Sequence, residues 1–157
     1  MTIAMRKNWD CGVVSAANHV AEMTGKDPER MYQEMIKSQP SLPVFRDFWD
    51  SPTRQQSMIA RLSDQPVGLV PINPLLVPSA VLIRVGLTLW HWVTILSVGH
   101  GSYRWHDGLK EIDGQTIEQR FPGAVVILAL AIGGTTPMPW KWRLWGWLTW
   151  PIRRLPI

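Results

Sequence analysis

After Asp10, apolar side chains at Val13, Val14, Ala17, Val20 and Ala21 recur at i, i+1, i+4, i+7 and i+8, the stripe of an amphipathic helix. Asp10 reads as its N-cap and Gly25 as its stop, so Cys11 is expected in the first turn. Asp27 followed by Pro28 predicts a second helix, with Met31, Tyr32, Met35 and Ile36 on one side and an end near Pro40. Ser51-Pro52 repeats that start signal, and Met58, Ile59 and Leu62 predict a third, weaker helix. Pro66, Pro71, Pro74 and Pro78 then punctuate an extended stretch.

From residue 80 the pattern changes. Residues 80–85, 89–98 and 103–105 are short runs rich in Val, Ile, Leu, Trp and Tyr, parted by Gly86, Gly99-His100-Gly101 and Gly108, as hairpin-linked strands would be. Residues 115–120 have room for a helical turn. Residues 124–132 form an unbroken apolar run between Gly123 and Gly133, which predicts a central strand. Helices followed by an antiparallel sheet make the α+β class.

The chain has 157 residues, enough for one domain with a sizeable core. At 46% hydrophobic and 18% charged residues it fits a globular class rather than a disordered one. The longest apolar run is about half of what crosses a bilayer as a helix. The first ten residues carry their basic pair behind the apolar ones, the reverse of a secretory signal, which points to a cytoplasmic protein. A single cysteine excludes an internal disulfide framework and a multi-cysteine zinc site.

The net charge of +4 is carried by the end of the chain, where residues 138–157 hold Lys141, Arg143, Arg153 and Arg154 and no acid. The remainder is balanced, which argues against a nucleic-acid-binding body. The same stretch holds Trp140, Trp142, Trp145, Trp147 and Trp150. Two compositions therefore meet in one chain, a body over 1–134 and a Trp-rich basic tail over 135–157. Interleaved indoles and cations suit a membrane surface; Trp and Arg also suit a protein partner, including a second copy or a larger assembly.

A cysteine at a helix N-terminus sits where the dipole and free N–H groups favour the thiolate. Acyl transfer by such a thiol also needs an imidazole and a group to orient it. His19 is about 12 Å along the same helix, too far to share a proton, and reads as a surface side chain. His100 reads as a hairpin tip. His91 opens a strand, and Asp107 closes the next one, so a hairpin brings the two together. A metal site from His91, His106 and Asp107 lacks recognisable ligand spacing, and no cofactor motif is present. Trp90 and Trp92 read as packing residues.

Asp10-Cys11-Gly12-Val13 at a helix start, His91-Trp92-Val93 at a strand start and Asp107-Gly108 at the end of the neighbouring strand together resemble papain-like cysteine peptidases. The resemblance is to the bacteriocin-processing (C39-like) type and its small bacterial or phage-encoded relatives. It extends to Ile112-Asp113-Gly114-Gln115-Thr116 and the 121–127 segment, covering about residues 6–132. It implies a papain-like fold, a peptide or protein substrate, Cys11 as nucleophile, His91 as general base and then acid, and Asp107 as orienting group. It departs at Met5, where the family places a glutamine whose amide completes the oxyanion hole; Asn8 is the candidate substitute. The alternative expectation is a catalytically inactive papain-like module, such as a phage virion component.

Overall fold

The computed structural model describes residues 1–7, 9–37, 51–87, 89–99 and 102–148. Among the described residues three helices come first: α1 (Cys11–Thr24), α2 (Pro28–Ile36) and α3 (Pro52–Ser63). They are followed by β1 (Val67–Val70), β2 (Ser79–Val85), β3 (Leu89–Gly99), β4 (Ser102–His106) and β5 (Glu111–Ile112). The short helix α4 (Ile117–Arg120), strand β6 (Val125–Ile132) and helix α5 (Trp140–Leu148) complete the order. The strands form one six-stranded antiparallel sheet ordered β1-β6-β2-β3-β4-β5, so the fold is α+β, as the hydrophobic pattern predicts.

Helix boundaries follow local chemistry. Asp27 accepts from Glu29 N at 3.1 Å and Ser51 Oγ from Arg54 N at 3.3 Å, each with proline at the first helical position. Gly25 ends α1 in the left-handed region, its N–H returning to the Ala21 carbonyl. α2 stops at Ile36, earlier than Pro40.

Both faces of the sheet are covered. Val13, Val14, Ala17 and Val20 of α1, Met31 and Met35 of α2, and Met58 and Ile59 of α3 pack on one face with Leu82, Trp92 and Leu130. Val81, Ile83, Val93, Ile95, Trp105 and Ala129 form the opposite layer with Ile117 of α4. Two-sided burial explains why β2 and β6 read as continuous apolar runs rather than alternating ones. The proline-bounded β1 lies at the sheet edge, where a missing N–H is tolerated; the extended stretch expected there thus contributes a strand.

His19 corrects an expectation. It is fully buried rather than on the helix surface, and its Nε2 accepts from Ile132 N at 3.1 Å at the end of β6. Burial holds its pKa down to about 4. The stripe that buries α1 is wide because the helix packs against β2, β3 and β6 on one side and α2 and α3 on others.

Across residue 134 the chain stays on the body. Thr136 pairs with Leu69, Met138 is buried in the α1-side core, and Thr53 Oγ1 donates to the Trp142 carbonyl at 2.7 Å. Trp142 meets Trp90 edge-on, with ring centroids 6.2 Å apart. The helical backbone includes Trp145 and Trp147; Trp150, Arg153 and Arg154 lie outside the described residues.

Candidate active site

Cys11 is the first residue of α1, half-buried and packed against the α1-side core. Asp10 precedes it but does not cap the helix with its side chain, contrary to expectation. Its backbone, at φ −98° and ψ 15°, is not the extended conformation a capping residue adopts, so the carboxylate turns back toward the N-terminal segment. There Oδ2 accepts from Arg6 N at 3.2 Å, Lys7 N at 3.3 Å and the Tyr32 hydroxyl at 2.6 Å. Asp10 is fully buried, and Oδ1 has no partner among the described residues. Burial and the adjacent Asp10 carboxylate raise the Tyr32 phenol above its ordinary value, which keeps it a donor. Arg6 grips Glu29 in a two-point ion pair and lies over the Tyr32 ring at 4.7 Å.

A second buried tie reaches the next residue. Gln55 of α3, a residue that sequence reasoning passed over, donates from Nε2 to the Gly12 carbonyl at 2.9 Å. It stands at the i−3 position from Met58 on the buried side of α3, a signal that periodicity alone reads as core. Farther along α1, Ser15 Oγ donates to the Val93 carbonyl at 2.9 Å, and Thr94 Oγ1 donates to Ser15 Oγ at 3.0 Å. The first turns of α1 are thereby fixed against both α3 and β3.

His91 is the third residue of β3 and half-buried. Its Nε2 lies 2.7 Å from the Asp107 main-chain oxygen. A carbonyl only accepts, so Nε2 carries the proton and Nδ1 is the ring's acceptor. Burial lowers the imidazole pKa and the Arg120 charge adds to this; the hydrogen bond to Asp107 and its negative charge oppose both. The result is a neutral ring near pH 7 with a lone pair on Nδ1.

Asp107 does not present its carboxylate to that ring. Oδ1 accepts from Leu109 N at 2.8 Å and Lys110 N at 2.9 Å, closing the turn after β4, and Oδ2 accepts from Arg120 Nε at 3.1 Å. Burial alone would raise this carboxyl, but the two N–H groups and Arg120 outweigh it and hold its pKa below the usual carboxylate range. The turn chemistry of Asp before Gly therefore takes the side chain, and the main chain meets His91.

Gly108 makes that approach sterically possible. Its φ of +103° lies in the region that favours glycine, and a Cβ there would stand 2.7 Å from Met5 Sδ and 3.1 Å from His91 Cε1. Met5 N in turn donates to the Gly108 carbonyl at 2.7 Å. Met5 packs with the α1-side core, as Cys11 does, whereas the His91 ring meets Phe121 edge-on at 5.7 Å on the other layer. Met5 and His91 thus both lie against Gly108, Met5 with the α1-side core and His91 with the other layer. Asn8 lies outside the described residues, as does His100.

His106 is buried, and its Nδ1 accepts from Gly108 N at 3.1 Å, which occupies that nitrogen's lone pair. Among the described residues no group of three His, Cys, Asp or Glu side chains is arranged to hold a metal ion. No helix among them is long and apolar enough to cross a membrane. No protein family, curated protein or solved structure matches this chain.

Proposed function

We propose that this protein is a papain-like thiol hydrolase of the bacteriocin-processing type, acting on a peptide or related amide bond. Cys11, activated at the α1 N-terminus, gives its proton to His91 Nδ1 and attacks the substrate carbonyl carbon through sulfur. His91 returns that proton to the leaving amine, and water, deprotonated by the same nitrogen, releases the acyl group and restores the thiol. The Cys11 N–H is the oxyanion donor this reading uses, with Asn8 as the candidate side-chain donor in place of the missing glutamine.

The observation that carries the reading is the His91 Nε2 contact to the Asp107 carbonyl, which selects the tautomer a general base needs. Orientation of the imidazole falls to a main-chain oxygen instead of the Asp107 carboxylate. The test is alkylation of the native protein by iodoacetamide at about pH 6, well below the ordinary thiol pKa. Labelling of Cys11 that His91→Ala reduces at least tenfold is expected. Labelling that needs denaturation refutes the reading.

The second reading, an inactive papain-like module, is favoured by the commitment of the Asp107 carboxylate to Arg120 and the turn. It predicts native alkylation at the ordinary alkaline pH of a thiol, with no dependence on His91.

A further inference from the structure

Two acid-free segments carry exposed apolar side chains at one end of the sheet. Residues 79–99, which make up β2, β3 and their turn, contain no Asp or Glu, and neither do residues 138–157. At the turn Leu87 is 92% exposed, with Leu89 and Trp90 also exposed beside it. On α5, Trp140 is 74% exposed and Leu144, one turn later, is exposed on the same side. The Trp90–Trp142 edge contact joins the hairpin to the helix, so the two groups of exposed side chains lie on neighbouring elements. Trp142 faces inward to make that contact while Lys141 and Arg143 remain on the outside.

We propose that the β2–β3 turn and α5 together form a surface that docks on an anionic lipid bilayer. The shape argues for lipid over protein. Leu87 projects at a hairpin tip, and a fluid bilayer receives a protruding apolar tip without a matching pocket, whereas a protein partner would have to supply one. Tryptophan prefers the wet–apolar boundary, where Trp90 and Trp140 would lie once the tip is inserted. The charge is complementary as well: Lys141 and Arg143 on α5, with Arg153 and Arg154 following in the sequence, are offset by no acid within either segment. Among the described residues α5 has nine, fewer than half of a membrane span, which suits a helix lying along the interface. This inference is independent of the proposed peptidase chemistry, since none of these residues belongs to the candidate active site.

The test is co-sedimentation of the full chain at low salt with phosphatidylcholine vesicles and with equimolar phosphatidylcholine–phosphatidylglycerol vesicles. The protein is expected to pellet with the anionic vesicles at least tenfold more strongly than with the neutral ones. Leu87→Asp is expected to lower the partition coefficient about tenfold or more, and Lys141→Gln about fivefold, one surface charge's worth. Circular dichroism checks that Leu87→Asp folds; if it does not, Trp140→Gln takes its place with the same expected loss. No uptake of the wild type by anionic vesicles overturns the proposal. So does uptake that none of these substitutions changes. Self-association of the wild type that Leu87→Asp abolishes, with no vesicle binding, overturns it in favour of a protein interface.

Discussion

Lowering the pH from about 7 to about 4 should unfold this protein in part through one side chain, His19. In the fold its Nε2 must keep a lone pair to accept from Ile132 N, and the ring has no solvent contact, so the neutral form is favoured. An unfolded histidine titrates near 6.5, whereas the folded one is held at about 4 by burial. Through that window the unfolded chain binds a proton that the folded chain refuses. Stability from this group is therefore fully present above about pH 6.5 and is lost as pH falls toward 4. A displacement of that size corresponds to about 3 kcal/mol, a large share of a small domain's total stability. Urea unfolding at a series of pH values, comparing wild type with His19→Gln, isolates the effect, because other titrating groups act alike in both. The Gln side chain retains an acceptor for Ile132 N but binds no proton. The wild type should lose about 3 kcal/mol more than the variant between pH 7 and 4. Curves that stay parallel to within about 0.5 kcal/mol would show that His19 is not held neutral by the fold.

Gly108→Ala should destabilise the protein by roughly 1–3 kcal/mol in thermal unfolding, because it strains a positive φ and drives a Cβ into Met5 and His91; an unchanged melting temperature would refute the close approach. Asp107→Asn should leave Cys11 alkylation near the wild-type rate, since the main-chain oxygen holding His91 remains, while costing about 1.5–3 kcal/mol through the lost charge on Arg120. A tenfold fall in alkylation with stability unchanged would return the orienting role to the carboxylate.

Several elements are legible in the sequence because their signals are local. Asp27-Pro28 and Ser51-Pro52 start helices through backbone capping and a preset φ, which depend on neighbours one to three residues away. The apolar run of β6 announces a strand buried on both faces, since no alternation survives when both sides face core. The α+β class follows from the change of period at residue 80. So does the placement of Cys11 at a helix start and of His91 near a strand start.

What depended on the third dimension was the direction each polar side chain takes. A helical stripe does not reveal how many sides of α1 are covered, and only the packing of α2, α3 and the sheet around it turned His19 from an expected surface residue into a buried acceptor. Sequence brought Asp107 to His91 by strand pairing, but a residue offers a carboxylate and a carbonyl, and the turn with Arg120 claimed the first and left the second. Asp10 likewise reads as a cap by type, yet its backbone angles send it to Tyr32, twenty-two residues away in the chain. Spacing along a sequence determines which residues share an element and a face; the partner of a hydrogen-bonding atom is decided by competition among all groups within about 3 Å, most of them distant in sequence.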